Sequence, residues 1–176
     1  MLAVQPSIAI ALPRRPHAIL LKACAAFARV HWLPLVAGTA AIGLALVYGN
    51  PVLLHGSICL IAMLLSLVVH ELGHALVFNA VSRGVEAAIL VVNRGSPHLV
   101  RQATPGWRSV AVTVAGPMAP VVATLVASPI LLVNIPELVM CSMISASHLL
   151  SLLLDSGDGA QLRRDLGRPF PSSPPL

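Results

Sequence analysis

The sequence predicts an all-α polytopic membrane protein: about four transmembrane helices, with a short cytoplasmic β-hairpin between the second and the third. Three observations carry this expectation. Of 176 residues, 57% are hydrophobic and only 10% charged, whereas a soluble domain carries about a quarter charged residues. The apolar residues gather into runs near the twenty or so that a bilayer-spanning helix needs. The basic residues fall between or outside those runs. A net charge of +5 is thereby read as a topology signal, and nucleic acid is not expected as a partner.

Residues 1–30 form an expected cytoplasmic or interfacial segment. Its apolar run Ile8–Leu12 is a poor signal peptide, because positive charge follows it and Pro13 and Pro16 interrupt it. A helix from about His17 to Val30, lying at the membrane surface, is the modest alternative. The membrane-embedded core is expected over 31–165. Its first span runs from about Trp32 to Tyr48 and ends at a Gly49-Asn50-Pro51 turn. The second runs from about Val52 to Phe78, the third from about Ser109 to Val133. Asn134-Ile135-Pro136 is the next turn, with Pro136 placed to start the fourth span, from Glu137 to about Leu154.

Between the second and third spans, Val85–Val92 is β-prone, Asn93-Arg94-Gly95-Ser96-Pro97 is turn-like, and His98–Arg101 returns. The expected hairpin would offer an edge to an extended peptide by strand addition; an ordered loop that merely links two spans is the plainer reading. Residues 166–176, rich in proline and serine, read as a disordered cytoplasmic tail. Cys24, Cys59 and Cys141 are odd in number and far apart, which suits helix fillers better than a disulfide framework.

Charge sorts completely across these spans. All 11 Lys and Arg lie in the N-terminal segment, around 79–108, or after the fourth span, and none lies in the two opposite turns. By the positive-inside rule the expected location is a multi-pass cell-membrane protein with both termini cytoplasmic.

Inside the second span stands His70-Glu71-Leu72-Gly73-His74. Residues four apart share a helix face, so His70 and His74 can grip one metal ion. Glu71 beside them is placed to take a proton from an activated water. Ionisable groups in hydrocarbon are costly and usually functional. A catalytic zinc takes three protein ligands and keeps one open position. The residues leave four candidates for the third ligand: Asp155, Asp158, His148 and His98. From Val52 to His70 is roughly 27 Å of helix, near the cytoplasmic edge of the core, and Asp155 fits that depth slightly better than Asp158.

In ordered combination, three motifs resemble the site-2 protease family of intramembrane zinc metalloproteases. They are His70-Glu71-Leu72-Gly73-His74 on a membrane helix, Ala115-Gly116-Pro117 in the following span, and Asp158-Gly159 at the end of a later one. The resemblance covers roughly 31–165. It implies one Zn2+ per chain on His70, His74 and Asp158, with Glu71 as general base. It also implies a membrane protein or membrane-associated peptide as substrate, cut near the cytoplasmic face. The last motif departs from the family's Asn-x-x-Pro: here it reads His148-Leu149-Leu150-Ser151. That departure puts substrate positioning in question; His148 reads as a polar residue in a helix interface or as a substrate-positioning group. The alternative function is a catalytically inactive relative that binds a membrane partner. A metal transporter is the third class, disfavoured because the ionisable residues gather at one face.

Overall fold

The structure, a computed structural model, describes residues 8–82, 88–93, 97–101, 106–132 and 134–167. The elements run β1 (Ile8–Ala11), α1 (Pro16–Val30), α2 (Trp32–Tyr48), α3 (Pro51–Val81), β2 (Ala88–Val92), β3 (His98–Arg101), α4 (Trp107–Leu131), α5 (Ile135–Leu150), a 3-10 turn (Ser151–Leu153) and α6 (Gly157–Leu166). The helices α3, α4 and α5 with its 3-10 extension are long and apolar enough to cross a membrane. The pair α1 and α2 qualifies only as a single broken span, bent by 79°. The expected spans and the expected surface helix thus both appear as helices.

The long helices start and stop for local reasons. Proline at the first turn fits α3, where no intrahelical partner awaits its nitrogen. Asn50 caps the same end, its side chain accepting from the Leu53 amide at 3.0 Å. Gly49 ends α2 in the left-handed conformation (φ 61°), which a residue without Cβ adopts cheaply. At the start of α5, Glu137 Oε1 pairs with His55 Nδ1 at 2.9 Å and ties the beginnings of α3 and α5 together.

The sheet departs from the expected all-α fold with one hairpin. It has three antiparallel strands in the order β1-β2-β3, the central β2 pairing Leu90 with both Ile10 and Leu99. The run Ile8–Leu12, weighed above as a poor signal peptide, supplies β1. Its alternation of isoleucine and alanine, with the isoleucines half-buried, is the strand signal. Its partner lies some eighty residues away, where local pattern does not reach. The expected strand residues 85–87, the turn residues 94–96 and the tail 168–176 lie outside the described residues.

The sheet packs its inner face on α1 and the second half of α3. Leu90 and Val92 are buried there with Ile19, Phe27, Leu72 and Ala75. His31 occupies the bend between α1 and α2. It is buried, stacks on Phe27 with ring centroids 4.1 Å apart, and lies 3.2 Å from the Asn93 carbonyl. One imidazole therefore fixes the helix bend to the end of β2. The three cysteines carry unpaired thiols.

Leu90, 1% exposed, fills the centre of this cluster. Leu90→Ala is expected to cost about 2–5 kcal/mol of stability. Ile89→Ala on the outer face of the same strand, 43% exposed, should change stability by no more than about 0.5–1 kcal/mol. Denaturant unfolding of the detergent-solubilised chain measures both; equal losses would mean the sheet does not pack through this face.

Candidate metal centre

His70 and His74 lie one turn apart in the middle of α3, and both are buried. Their Nε2 atoms approach to 3.2 Å. Asp158, at the start of α6, brings Oδ2 to 3.0 Å from His70 Nε2 and Oδ1 to 3.3 Å from His74 Nε2. Glu71 offers a carboxylate oxygen such that the ligand atoms of His70, Glu71 and His74 all lie within 4.8 Å of one another. That group could hold a metal ion. Asp158 stands against both imidazoles and offers a further carboxylate beside that group.

The donor chemistry fits a cation. A carbonyl only accepts, so the 2.7 Å contact between His74 Nδ1 and the Val112 carbonyl means that Nδ1 donates. Such a bond holds the ring in one tautomer and turns the Nε2 lone pair inward. Two imidazole nitrogens and a carboxylate at 3.0–3.3 Å require positive charge among them, either a shared proton or a metal. A tetrahedral ion with bonds of about 2.0–2.1 Å sets its ligand atoms about 3.3 Å apart. Burial by itself would push the Asp158 carboxyl up. The hydrogen bonds and charge of His70 and His74 outweigh it and hold the group well below the usual carboxylate range.

The motif glycines explain themselves by clearance. A Cβ on Gly116 would run into the His74 ring, and one on Gly73 into the Ala115 carbonyl and Ala119. The Ala115-Gly116-Pro117 segment of α4 is therefore the surface on which the His-bearing helix lies flush. A Cβ on Gly159 would meet the carbonyls of Ser151, Leu152 and Leu154. Glycine after Asp158 lets α6 settle onto the end of the preceding turn.

Asp155, by contrast, points away. Its side chain is 98% exposed and pairs with Arg163 Nη2 at 2.6 Å. Asp155 would reach the depth of the His pair only on a helix that continued past Leu154. The chain instead turns: Leu154 and Ser156 are extended, and Gly157 takes φ 57°. That reversal brings Asp158 back beneath the His pair. His98 is exposed on β3. His148 sits in a helix interface: its Nε2 meets Ser66 Oγ at 3.0 Å across the α3–α5 contact, and its ring lies 4.8 Å from that of His70.

These groups open onto a cavity of about 680 Å³. Its lining includes His70, Glu71, His74 and Asp158, then His148 and Ser151, and the whole of β3 from His98 to Arg101. Among the described residues, two buried atoms here have no hydrogen-bond partner, His70 Nδ1 and Glu71 Oε2. Arg101, Thr113 and Gln161 also line the cavity, and Thr113 donates to Asp165 behind it. In the sequence Arg101 reads only as a topology charge. The one available signal was Asp165, seven residues after Asp158 and hence on the same helical face.

No protein-family model, curated protein or solved structure matches the chain. The likeness to the site-2 proteases therefore rests on the motif residues alone.

Gly116→Ala places a methyl group in the His74 ring and should abolish stoichiometric divalent-metal binding while circular dichroism keeps the helical signal. Metal content after dialysis of the purified variant decides it; wild-type content would mean the α3–α4 contact does not set the ring. The same measurement on Asp158→Ala should show loss of metal and on Asp155→Ala retention.

Proposed function

We propose that this chain is an intramembrane zinc metalloendopeptidase of the site-2 protease kind, cutting a transmembrane or membrane-associated peptide near the cytoplasmic face. The observation that supports it most is the meeting of His70, His74 and Asp158 at 3.0–3.3 Å, with Glu71 beside them, in a cavity walled by a sheet edge. Two nitrogens and one oxygen with an open side suit zinc. When bound, zinc supplies Lewis acidity to a peptide carbonyl and acidifies water toward neutral pH.

The chain's own residues do the rest. Glu71 takes the proton from the attacking water as the water oxygen bonds to the peptide carbon. Among the described residues its buried Oε2 has no hydrogen-bond partner, which leaves that oxygen open to accept the proton. As the carbon–nitrogen bond breaks, Glu71 passes the proton to the leaving amine. Val112, through the His74 Nδ1 bond, keeps the imidazole from turning. A helical substrate hides its carbonyls in its own hydrogen bonds and must unwind before attack. The outer edge of β3, last in the strand order and lining the cavity, suits an extended peptide laid alongside it.

A bilayer setting accords with the surface. Large apolar side chains stand exposed along the helices, among them Val47, Val52, Val126 and Ile130, each more than three-quarters uncovered. Soluble monomers rarely expose such continuous apolar faces. With both termini cytoplasmic, the His–Asp cluster and the sheet lie on the side that carries the basic residues. Glu71 also weighs against a purely partner-binding relative, which has no use for a buried base.

Glu71→Gln should keep one zinc per chain and lower cleavage of a single-span peptide by about 10²–10⁴-fold. Zinc content and product formation in detergent, over a panel of single-span peptides, test the reading. Cleavage at the wild-type rate by the variant would overturn the role of Glu71. A zinc-loaded wild type that cuts nothing would move the function to partner binding.

A further inference from the structure

α6 carries a second carboxylate, and it is the more deeply buried of the two. Asp165 is 1% exposed, a place where an acidic group survives only if its charge is satisfied. Thr113 Oγ1 donates to its Oδ2 at 2.9 Å, and Gln161 Nε2 donates to its Oδ1 at 2.8 Å. The guanidinium of Arg101 stands 3.8 Å from Oδ2. The same Arg101 nitrogen donates to Ser109 Oγ at 3.1 Å and to Thr113 Oγ1 at 3.2 Å. One carboxylate thus gathers β3, α4 and α6.

Seven residues complete nearly two helical turns, so Asp158 and Asp165 share a face about 10 Å apart. α6 has 10 residues, too few to hold together as an isolated helix in water. Its far end is pinned at Asp165, and its near end rests Gly159 on the carbonyls of the preceding turn. Between the pins, Asp158 has little freedom to approach or leave the imidazoles. α4 is the common anchor: Val112 orients His74, and the next residue, Thr113, holds Asp165. Arg101 and Gln161 also line the cavity, which puts the clamp within reach of whatever lies along β3.

We propose that Arg101 and Asp165 are positioning residues: their clamp sets the approach of Asp158 to the metal centre and joins it to the strand that receives the peptide. This rests on the metal reading given above. Asp165 acts through α6, and Arg101 acts on Asp165 from β3. A peptide adding to β3 would load a strand whose last residue is part of the clamp, so peptide binding and ligand geometry share one joint.

The test uses the full-length chain in detergent and Zn2+ itself as probe, with affinity read by competition against a chromogenic chelator. Asp165→Asn and Thr113→Val, each removing one side of the clamp, should weaken zinc binding by about 10–100-fold, the usual cost of losing a group that orients a ligand. The visible spectrum of the Co2+-loaded protein should shift in both toward that of Asp158→Ala. His55→Ala, which breaks the ion pair at the opposite end of the α3–α5 interface, should lower the melting temperature and leave zinc affinity at the wild-type level. Wild-type affinity and spectrum in both clamp variants would overturn the clamp and leave the metal centre standing. Equal loss of affinity in His55→Ala would reduce the effect to general destabilisation and overturn it as well. Absence of stoichiometric zinc from the wild type would remove the metal reading and the clamp together.

Discussion

Everything at the candidate site depends on how closely α4 can lie against α3. The backbones touch where Gly73 faces the Ala115 carbonyl and where Gly116 leaves the space that the His74 ring fills. Side chains larger than hydrogen at these two positions would push the helices apart by the width of a methyl group. The Val112 carbonyl would then lose its 2.7 Å contact with His74 Nδ1. In an apolar surrounding that contact has no substitute from water, so the ring's tautomer and its direction both follow from helix spacing.

The second constraint is the reversal after α5. A helix running straight past Leu150 would carry its acidic residues away from α3. The 3-10 turn, the extended Leu154 and Ser156, and Gly157 at φ 57° instead fold α6 back against α4. Arg163 reaches back to the Leu154 carbonyl and to Asp155 across this bend. The two Asp residues three positions apart thereby meet opposite fates, one in solvent and one between two imidazoles. Asp165 is met by Thr113 of α4, Gln161 of α6 itself and Arg101 of β3, so the return costs no unpaired buried charge there.

Much of this was legible from residue pattern. The long apolar runs became α3, α4 and α5, and the interfacial helix became α1, because hydrophobic length and proline or glycine punctuation are local properties. The pairing of His70 with His74 follows from helical period alone. The strand His98–Arg101 was legible from its turn and β-prone neighbours. β1 was not, since four residues of Ile-Ala alternation mean little until β2 lies beside them. The bend at His31 was equally hidden: it depends on the carbonyl of Asn93, sixty-two residues away.

What the sequence determined by itself is the helical architecture, the apolar character of its long helices and the His-x-x-x-His face of α3 with Glu71 alongside. Each arises from interactions within one turn of helix or within one hydrophobic run. Tertiary structure brought the motif's Asp158, and not Asp155, against the histidines, and it alone decided that Val112 orients one of them and that Asp165 is buried under Arg101 and Thr113. Those outcomes depend on distances between segments far apart in the chain, and such distances are set by glycine clearance and chain reversal, which composition and period do not encode.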